Sequence, residues 1–299
     1  MTVRRASRVA APEAGKAPRG SGGSAPASRQ FFTQSPESFT GGGFGLLPAE
    51  ADELAVALDP SLVLVKAGIT PDSWQEGFLR SRAPRRLVMV HRQGGKSTVS
   101  AALAAWVLVF EAPADVIIIS KSLPQAEETH RKAVGLLRAF APHVGISAES
   151  TRTLKTDAGS RCVTVPGSDD AVRSFSAPRL VILDEASRIP DAAYYAVRPL
   201  FVAAPDGRLV CITTPKYREG WFFEEWTAGG AEWERFCLPA PDNPRISRDF
   251  LEQERQKNEE AFKMDYLLEF GESAADRRNP KLLSAKARAN LDAAFGGVE

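Results

Sequence analysis

The chain has 299 residues, 38 basic against 37 acidic side chains and 43% hydrophobic residues, a balance that excludes wholesale disorder and a fibrous fold and bounds it at one large or two small domains. Its longest apolar run falls short of the roughly 18–20 residues a bilayer span needs, so no membrane-spanning helix is expected. Cys162, Cys211 and Cys237 form no CxxC pair and only three histidines are present, which leaves neither a disulfide framework nor a zinc cluster and makes a reducing cytoplasm the expected compartment.

Residues 1–45 are rich in Ala, Gly, Ser, Pro and Arg and hold too little apolar surface to offset the entropy of ordering. They are expected to form a disordered basic arm; the transit-peptide alternative is disfavoured by a Pro and Gly density that spoils an amphipathic helix. The first thirty residues carry +5 and the remainder −4, so bulk charge does not advertise nucleic-acid binding and any DNA contact falls to a local patch or the arm.

From residue 46 apolar runs alternate with helical patterns, the signature of a mostly parallel sheet flanked by helices. Strands are predicted at 87–90, 116–120, 180–183 and 208–213, short, β-branched and continuous in hydrophobicity as strands buried on both faces are. Helices are predicted at 97–110 and 124–140, a β-hairpin at 153–155 and 161–165, and one amphipathic helical stretch over 247–270 with Ser247 as its N-cap. These assignments divide the chain into an α/β domain at 46–240, a helical lid or linker at 241–275 and a tail at 276–299.

The sharpest motif is Val88-Met89-Val90-His91-Arg92-Gln93-Gly94-Gly95-Lys96-Ser97-Thr98, an apolar strand passing through paired glycines into a helix. Such a loop lets the backbone N–H groups of Gln93 to Thr98 close on phosphate oxygens at a helix N-terminus. Lys96 then reaches the β- and γ-phosphates and the Ser97 hydroxyl ligates Mg²⁺. Val90 stands where the usual loop has its first glycine, so the motif alone also fits a simple turn. A second element, Leu180-Val181-Ile182-Leu183-Asp184-Glu185, supplies what an ATPase adds: Asp184 for the Mg²⁺ shell and Glu185 to deprotonate the attacking water. Gln75, about 20 residues before Lys96, is placed to read an adenine edge, or is an exposed amide beside a core Trp74. Thr213 and Thr214 end a third buried strand as a hydrolysis sensor, and Arg92 is an extra cation in the loop for the phosphoryl-transfer transition state.

Taken together these residues resemble the large terminase subunit of tailed bacteriophages, the ATPase that packages double-stranded DNA into procapsids. The resemblance rests on Arg92 to Ser97, on Leu180 to Glu185 with the following Ala186-Ser187-Arg188-Ile189-Pro190, on Ile212-Thr213-Thr214-Pro215 running to Trp226, on Asp242-Asn243-Pro244, and on Tyr266 to Phe270. It implies an additional-strand, RecA-like P-loop NTPase using ATP and Mg²⁺ in the host cytoplasm. Its implied partners are double-stranded DNA gripped by its phosphates, a portal protein, a small terminase subunit and further copies in a ring.

Two departures qualify the resemblance. Ser174 follows Arg173 where the family usually has glycine, so Arg173 is either a finger acting on a neighbouring subunit or a partner of Asp169 or Asp170. The family's nuclease domain finds no counterpart after Phe270, and nuclease activity is expected to be absent or on another chain. The alternatives are a helicase-like DNA-remodelling ATPase, disfavoured by the absence of helicase motifs, and a non-catalytic docking subunit, which has no need of Lys96, Ser97, Asp184 and Glu185 together.

Overall fold

The computed structural model describes residues 48–274 and 276. Three helices, α1 (Pro48–Leu58), α2 (Leu62–Lys66) and α3 (Ser73–Arg80), precede β1 (Arg85–Val90), α4 (Lys96–Phe110), β2 (Asp115–Ser120) and α5 (Leu123–Phe140). There follow β3 (Ile146–Glu149), β4 (Thr153–Thr156), β5 (Arg161–Pro166), α6 (Asp169–Arg173), β6 (Leu180–Asp184), α7 (Asp191–Val197) and β7 (Arg208–Thr213). The last described elements are α8 (Trp221–Ala228), β8 (Glu234–Leu238), α9 (Arg248–Lys257) and α10 (Glu259–Asp265).

The strands form one sheet in the order β3-β4-β5-β2-β6-β7-β1-β8. Pairing is parallel from β5 to β8, while the β3/β4 and β4/β5 pairs are antiparallel. Strand alternation sends successive side chains to opposite faces, and both faces are filled. Val88, Val90, Val116, Ile118, Leu180, Ile182, Val210 and Ile212 enter the core built with α4 and α5. Leu87, Met89, Ile117, Ile119, Val181, Leu183, Leu209 and Cys211 enter the core built with α7 and α8. Doubly covered strands of this kind read as unbroken apolar runs, which is why the four central strands were visible in the sequence. Helix α4 is buried on nearly every side, from Val99 to Leu108, as expected of a helix that is apolar all round.

The predicted hairpin is β4 with β5, and Pro124 lies in the first turn of α5. Strands β3 and β8 were not predicted. β1 begins two residues earlier than expected because Arg86, although charged, lies fully inside: its guanidinium donates to the Phe78 carbonyl at 2.9 Å and rests 4.8 Å from the Phe78 ring centroid. The single helical stretch expected over 247–270 is corrected. Ser247 does cap α9, its hydroxyl accepting from the Phe250 N–H at 3.2 Å, but Asn258 at φ −159° interrupts the helix and its own side chain caps α10. After Asp265 the chain leaves helical geometry, with Leu268 at φ +61°, and Gly271 pairs with the Lys216–Arg218 region. No helix among the described residues is long and apolar enough to cross a membrane. The arm at 1–45 and the tail beyond 276 lie outside the described residues.

Candidate nucleotide-hydrolysis site

The C-terminal ends of β1, β7 and β6 lie side by side, because β7 is inserted between β1 and β6. This register delivers the loop after Val90, the pair Thr213-Thr214 and the pair Asp184-Glu185 to one edge, the position where open parallel sheets bind ligands.

The loop between β1 and α4 is drawn tightly enough to require its glycines. A β-carbon on Gly94 would lie 2.4 Å from Val90 Cγ1 and 3.1 Å from His91 Nε2, and one on Gly95, at φ +85°, would lie 2.5 Å from Gln75 Nε2. Gln93 also takes a left-handed conformation, at φ +61°. Lys96 opens α4 and turns its ammonium back under the loop, donating to Thr214 Oγ1 at 2.9 Å, to the His91 carbonyl at 3.1 Å and to the Val90 carbonyl at 3.2 Å. Burial pulls its pKa down, opposed by the carboxylates of Glu185 and Asp184, so the three groups share one electrostatic neighbourhood. Ser97 and Thr98 sit half-buried on the first turn of α4.

Asp184 is buried at the end of β6. Its two oxygens are engaged separately, Oδ2 by the Thr129 hydroxyl at 2.6 Å and Oδ1 by the Glu185 N–H at 3.0 Å. Desolvation pushes its pKa up, and the Thr129 hydrogen bond opposes that shift. Glu185 adopts φ +54°, ψ +44°, an uncommon conformation for a side-chain-bearing residue and one that clusters at functional positions. Its carboxylate pairs with Arg188 at 3.3 Å. The Thr213 hydroxyl lies 2.9 Å from the Ser187 hydroxyl, and both reach the Thr214 carbonyl at 2.8 Å. The end of β7 is thereby tied to the 3₁₀ turn Ala186–Arg188 that follows Asp184-Glu185.

Gln75 is buried, not an exposed amide: its Oε1 accepts from the Asp72 N–H at 2.9 Å within the capping box of α3, and its Nε2 faces Gly95. It lines a pocket of about 450 Å³ whose opposite wall is the C-terminal segment, including Asn243, Arg245, Phe250 and Tyr266. Arg92 is exposed and reaches outward to Asp265 at 3.3 Å, while its N–H donates to the Asp265 carbonyl at 2.9 Å. Arg173 is exposed at the end of α6, beyond β5.

Several site residues escaped the sequence. His91 is buried; Nδ1 meets the Arg92 carbonyl at 2.8 Å and Nε2 meets Asn243 Nδ2 at 3.0 Å. A carbonyl only accepts, so Nδ1 carries the proton and Nε2 accepts from Asn243. Burial holds the His91 pKa down, which keeps the ring neutral. Arg245 reaches Asp72 at 2.7 Å and the Thr70 carbonyl at 3.0 Å. The sequence signals for this wall were the Asp242-Asn243-Pro244 segment and the Tyr266–Phe270 segment; Thr129 had none.

A glycine-tight loop closing on a buried lysine at the start of a buried helix, an acidic pair at the end of the parallel strand next but one, and a hydroxyl-tipped strand between the two define an additional-strand P-loop NTPase. Residues 87–292 match the family described as terminase large subunit, T4likevirus-type, N-terminal, and the chain belongs to that family. Among solved structures it is similar to the large terminase ATPase domain of Thermus phage P74-26, with 23% identity, a TM-score of 0.62 and coverage of 69% of this chain and 96% of that one. It is also similar to the large terminase of a thermophilic bacteriophage in complex with ADP, with 13% identity and a TM-score of 0.51. That match covers 71% of this chain and spans 53% of the ADP-bound terminase chain. At these identities the likeness establishes the fold. No curated protein matches the chain.

Proposed function

We propose that the chain is an ATP-hydrolysing motor subunit that drives double-stranded DNA into a procapsid. The observation that carries the reading is the convergence of Lys96, Thr214, Asp184 and Glu185 at one end of three adjacent parallel strands. A protein that only docks has no use for a buried ammonium facing two carboxylates.

ATP is the substrate. The loop that an extra β-carbon would fill suits phosphate oxygens, which need close backbone approach. Lys96 and the N-terminus of α4 oppose the phosphate charge, and Gln75 with the pocket toward Asn243 and Tyr266 receives the base. Ser97 and Asp184 are hard oxygen donors of the kind Mg²⁺ takes, and Asp184 is a buried carboxylate whose charge a cation would offset; when bound, the ion would neutralise developing charge on the phosphates. Glu185 accepts the proton of the attacking water, and Arg92 adds positive charge at the loop's outer rim. Thr213 and Thr214 sense the γ-phosphate, Thr214 through its hydrogen bond to Lys96. The family reading adds assembly into a ring on a portal protein in the host cytoplasm, delivery of DNA by a small terminase subunit, and Arg173 as a candidate finger toward the neighbouring copy. DNA contacts in such a motor go to phosphates, so binding falls steeply with salt.

The test is ATP turnover by the purified chain with and without double-stranded DNA, beside Lys96→Ala and Glu185→Gln. Turnover stimulated by DNA is expected, lost with nucleotide binding in Lys96→Ala, and reduced about 10²- to 10⁴-fold with binding retained in Glu185→Gln, whose amide cannot take the proton. Undiminished turnover in Glu185→Gln would remove the assigned base.

A further inference from the structure

Helix α5 presents a buried face of Ala126, Thr129, His130, Ala133, Val134, Leu136 and Leu137, packed with α4 against the sheet. Thr129 lies on that face with no exposed surface. Valine has the same shape and would fill the same space, so a residue there only to pack has no need of a hydroxyl. A threonine inside a helix commonly spends its hydroxyl on the carbonyl three or four residues back. Thr129 instead donates to Asp184 Oδ2 at 2.6 Å, a distance typical of a bond to an ionised acceptor.

Asp184 stands at the end of β6, opposite Ser120 of β2 and Ile212 of β7. Its other oxygen accepts from the adjacent Glu185 N–H at 3.0 Å. The backbone bond fixes one oxygen but leaves rotation about the side-chain torsions; the bond from α5 fixes the second and sets the plane of the carboxylate. We infer that Thr129 is a positioning residue that holds the Asp184 carboxylate in the orientation in which it binds the nucleotide-associated divalent cation. Outer partners of ligating carboxylates typically contribute 10- to 100-fold to metal affinity. The inference rests on the proposed role of Asp184.

The test is a Mg²⁺ titration of the binding of a fluorescent, non-hydrolysable ATP analogue to the full chain, with binding in EDTA as reference. Wild type, Thr129→Val, Thr129→Ser and Asp184→Asn are compared. Thr129→Val is expected to raise the Mg²⁺ concentration for half-maximal enhancement by about 10- to 100-fold, to leave binding in EDTA unchanged, and to be rescued by Thr129→Ser. An unshifted Mg²⁺ midpoint in Thr129→Val overturns the inference. An equal loss in EDTA also overturns it, by marking Thr129 as a packing residue, and so does a serine variant that behaves like valine. If Thr129→Val fails to fold, Thr129→Ala is compared with Thr129→Ser on the same terms. Wild-type binding indifferent to Mg²⁺ would remove the role of Asp184 and this inference with it. Enhancement lost in Asp184→Asn beside an unshifted Thr129→Val would remove this inference alone.

Discussion

Gly95→Ala makes two demands on the phosphate loop at once. At φ +85° an alanine pays the left-handed penalty, about 1–2 kcal/mol. Its β-carbon would also lie 2.5 Å from Gln75 Nε2, and that amide cannot simply swing away: it is 5% exposed and its oxygen accepts from the Asp72 N–H at 2.9 Å. Displacing it forfeits part of the α3 cap, about 1 kcal/mol. Urea unfolding of Gly95→Ala should therefore show a loss of about 2–3 kcal/mol. In a Gln75→Ala background the amide is absent and the cap already broken, so Gly95→Ala should cost only its backbone share, giving a coupling of about 1 kcal/mol in a double-mutant cycle. Equal costs in the two backgrounds would refute the reasoning, because they would show that the loop relaxes without touching Gln75.

Thr214→Val removes the acceptor of the Lys96 ammonium while keeping the shape of a residue that is 4% exposed. Nucleotide binding should survive while DNA-stimulated turnover falls, and loss of the folded circular-dichroism signal instead would make Thr214 a core residue. Burial pushes the Cys162 thiol up to about 12 and the Cys237 thiol to about 11, and Cys211 is raised well above its ordinary value. A thiol reagent at pH 8 should therefore react slowly with native protein and rapidly with all three cysteines in denaturant. The pKa values of His91 and His130 are both lowered by burial. A depressed histidine contributes stability that is complete above its unfolded value near 6.5 and is lost as pH falls through the folded value. Stability should therefore drop below about pH 6.5, and His130→Leu should flatten that slope if the ring is the group taking up the proton.

How much was legible in the sequence follows from which interactions are local. The four central strands announced themselves because each is buried on two faces, and Lys96, Ser97, Asp184 and Glu185 stand out as candidates because strand ends position them within a few residues of an apolar run. β8 was missed because Glu234 and Arg235 begin it and it is covered less completely than the central strands. The break at Asn258 was missed because the residues on either side keep helical spacing; only the capping role of the Asn258 side chain, which accepts from the Ala261 N–H at 2.9 Å, distinguishes two helices from one. Thr129 and Arg245 gave no sequence signal, and Ser187 and Asn243 appeared only inside longer motifs with no partner indicated, for a different reason. Each meets its partner across a long stretch of chain, Thr129 with Asp184 at a separation of 55 residues and Asn243 with His91 at 152, and no periodicity encodes such a meeting. Arg92 shows the converse: its place in the motif suggested the phosphates, whereas its side chain is paired with Asp265 at the end of α10.

The two sides of the loop are connected to different parts of the molecule, and this gives the motor reading a physical route. On the inner side Lys96 bonds Thr214, whose neighbour Thr213 is tied to Ser187 in the turn after Glu185. From that turn Asp191 accepts the Trp221 N–H at 3.1 Å, and the Trp221 indole donates to the Ile189 carbonyl at 2.9 Å while stacking on Tyr194 at 3.9 Å between ring centroids. Helix α8 is thus anchored directly to the segment that follows the proposed base. Its Phe222 and Phe223 contact Phe270, and the adjoining Gly271 pairs with the chain just beyond Thr214. On the outer side His91 and Arg92 bond Asn243 and Asp265 of the C-terminal segment. A displacement of Lys96 on loss of a phosphate has to change its bond to Thr214, and Thr214 lies two residues from the Lys216 carbonyl that receives the Gly271 N–H at 2.7 Å. The C-terminal segment is therefore tied to both flanks of the β1–α4 loop, through His91 and Arg92 on one side and through the Lys216–Gly271 contact, two residues beyond Thr214, on the other. On the proposed motor reading, a change at the Lys96–Thr214 bond would reach this segment through the Lys216–Gly271 contact, while His91 and Arg92 hold its other side.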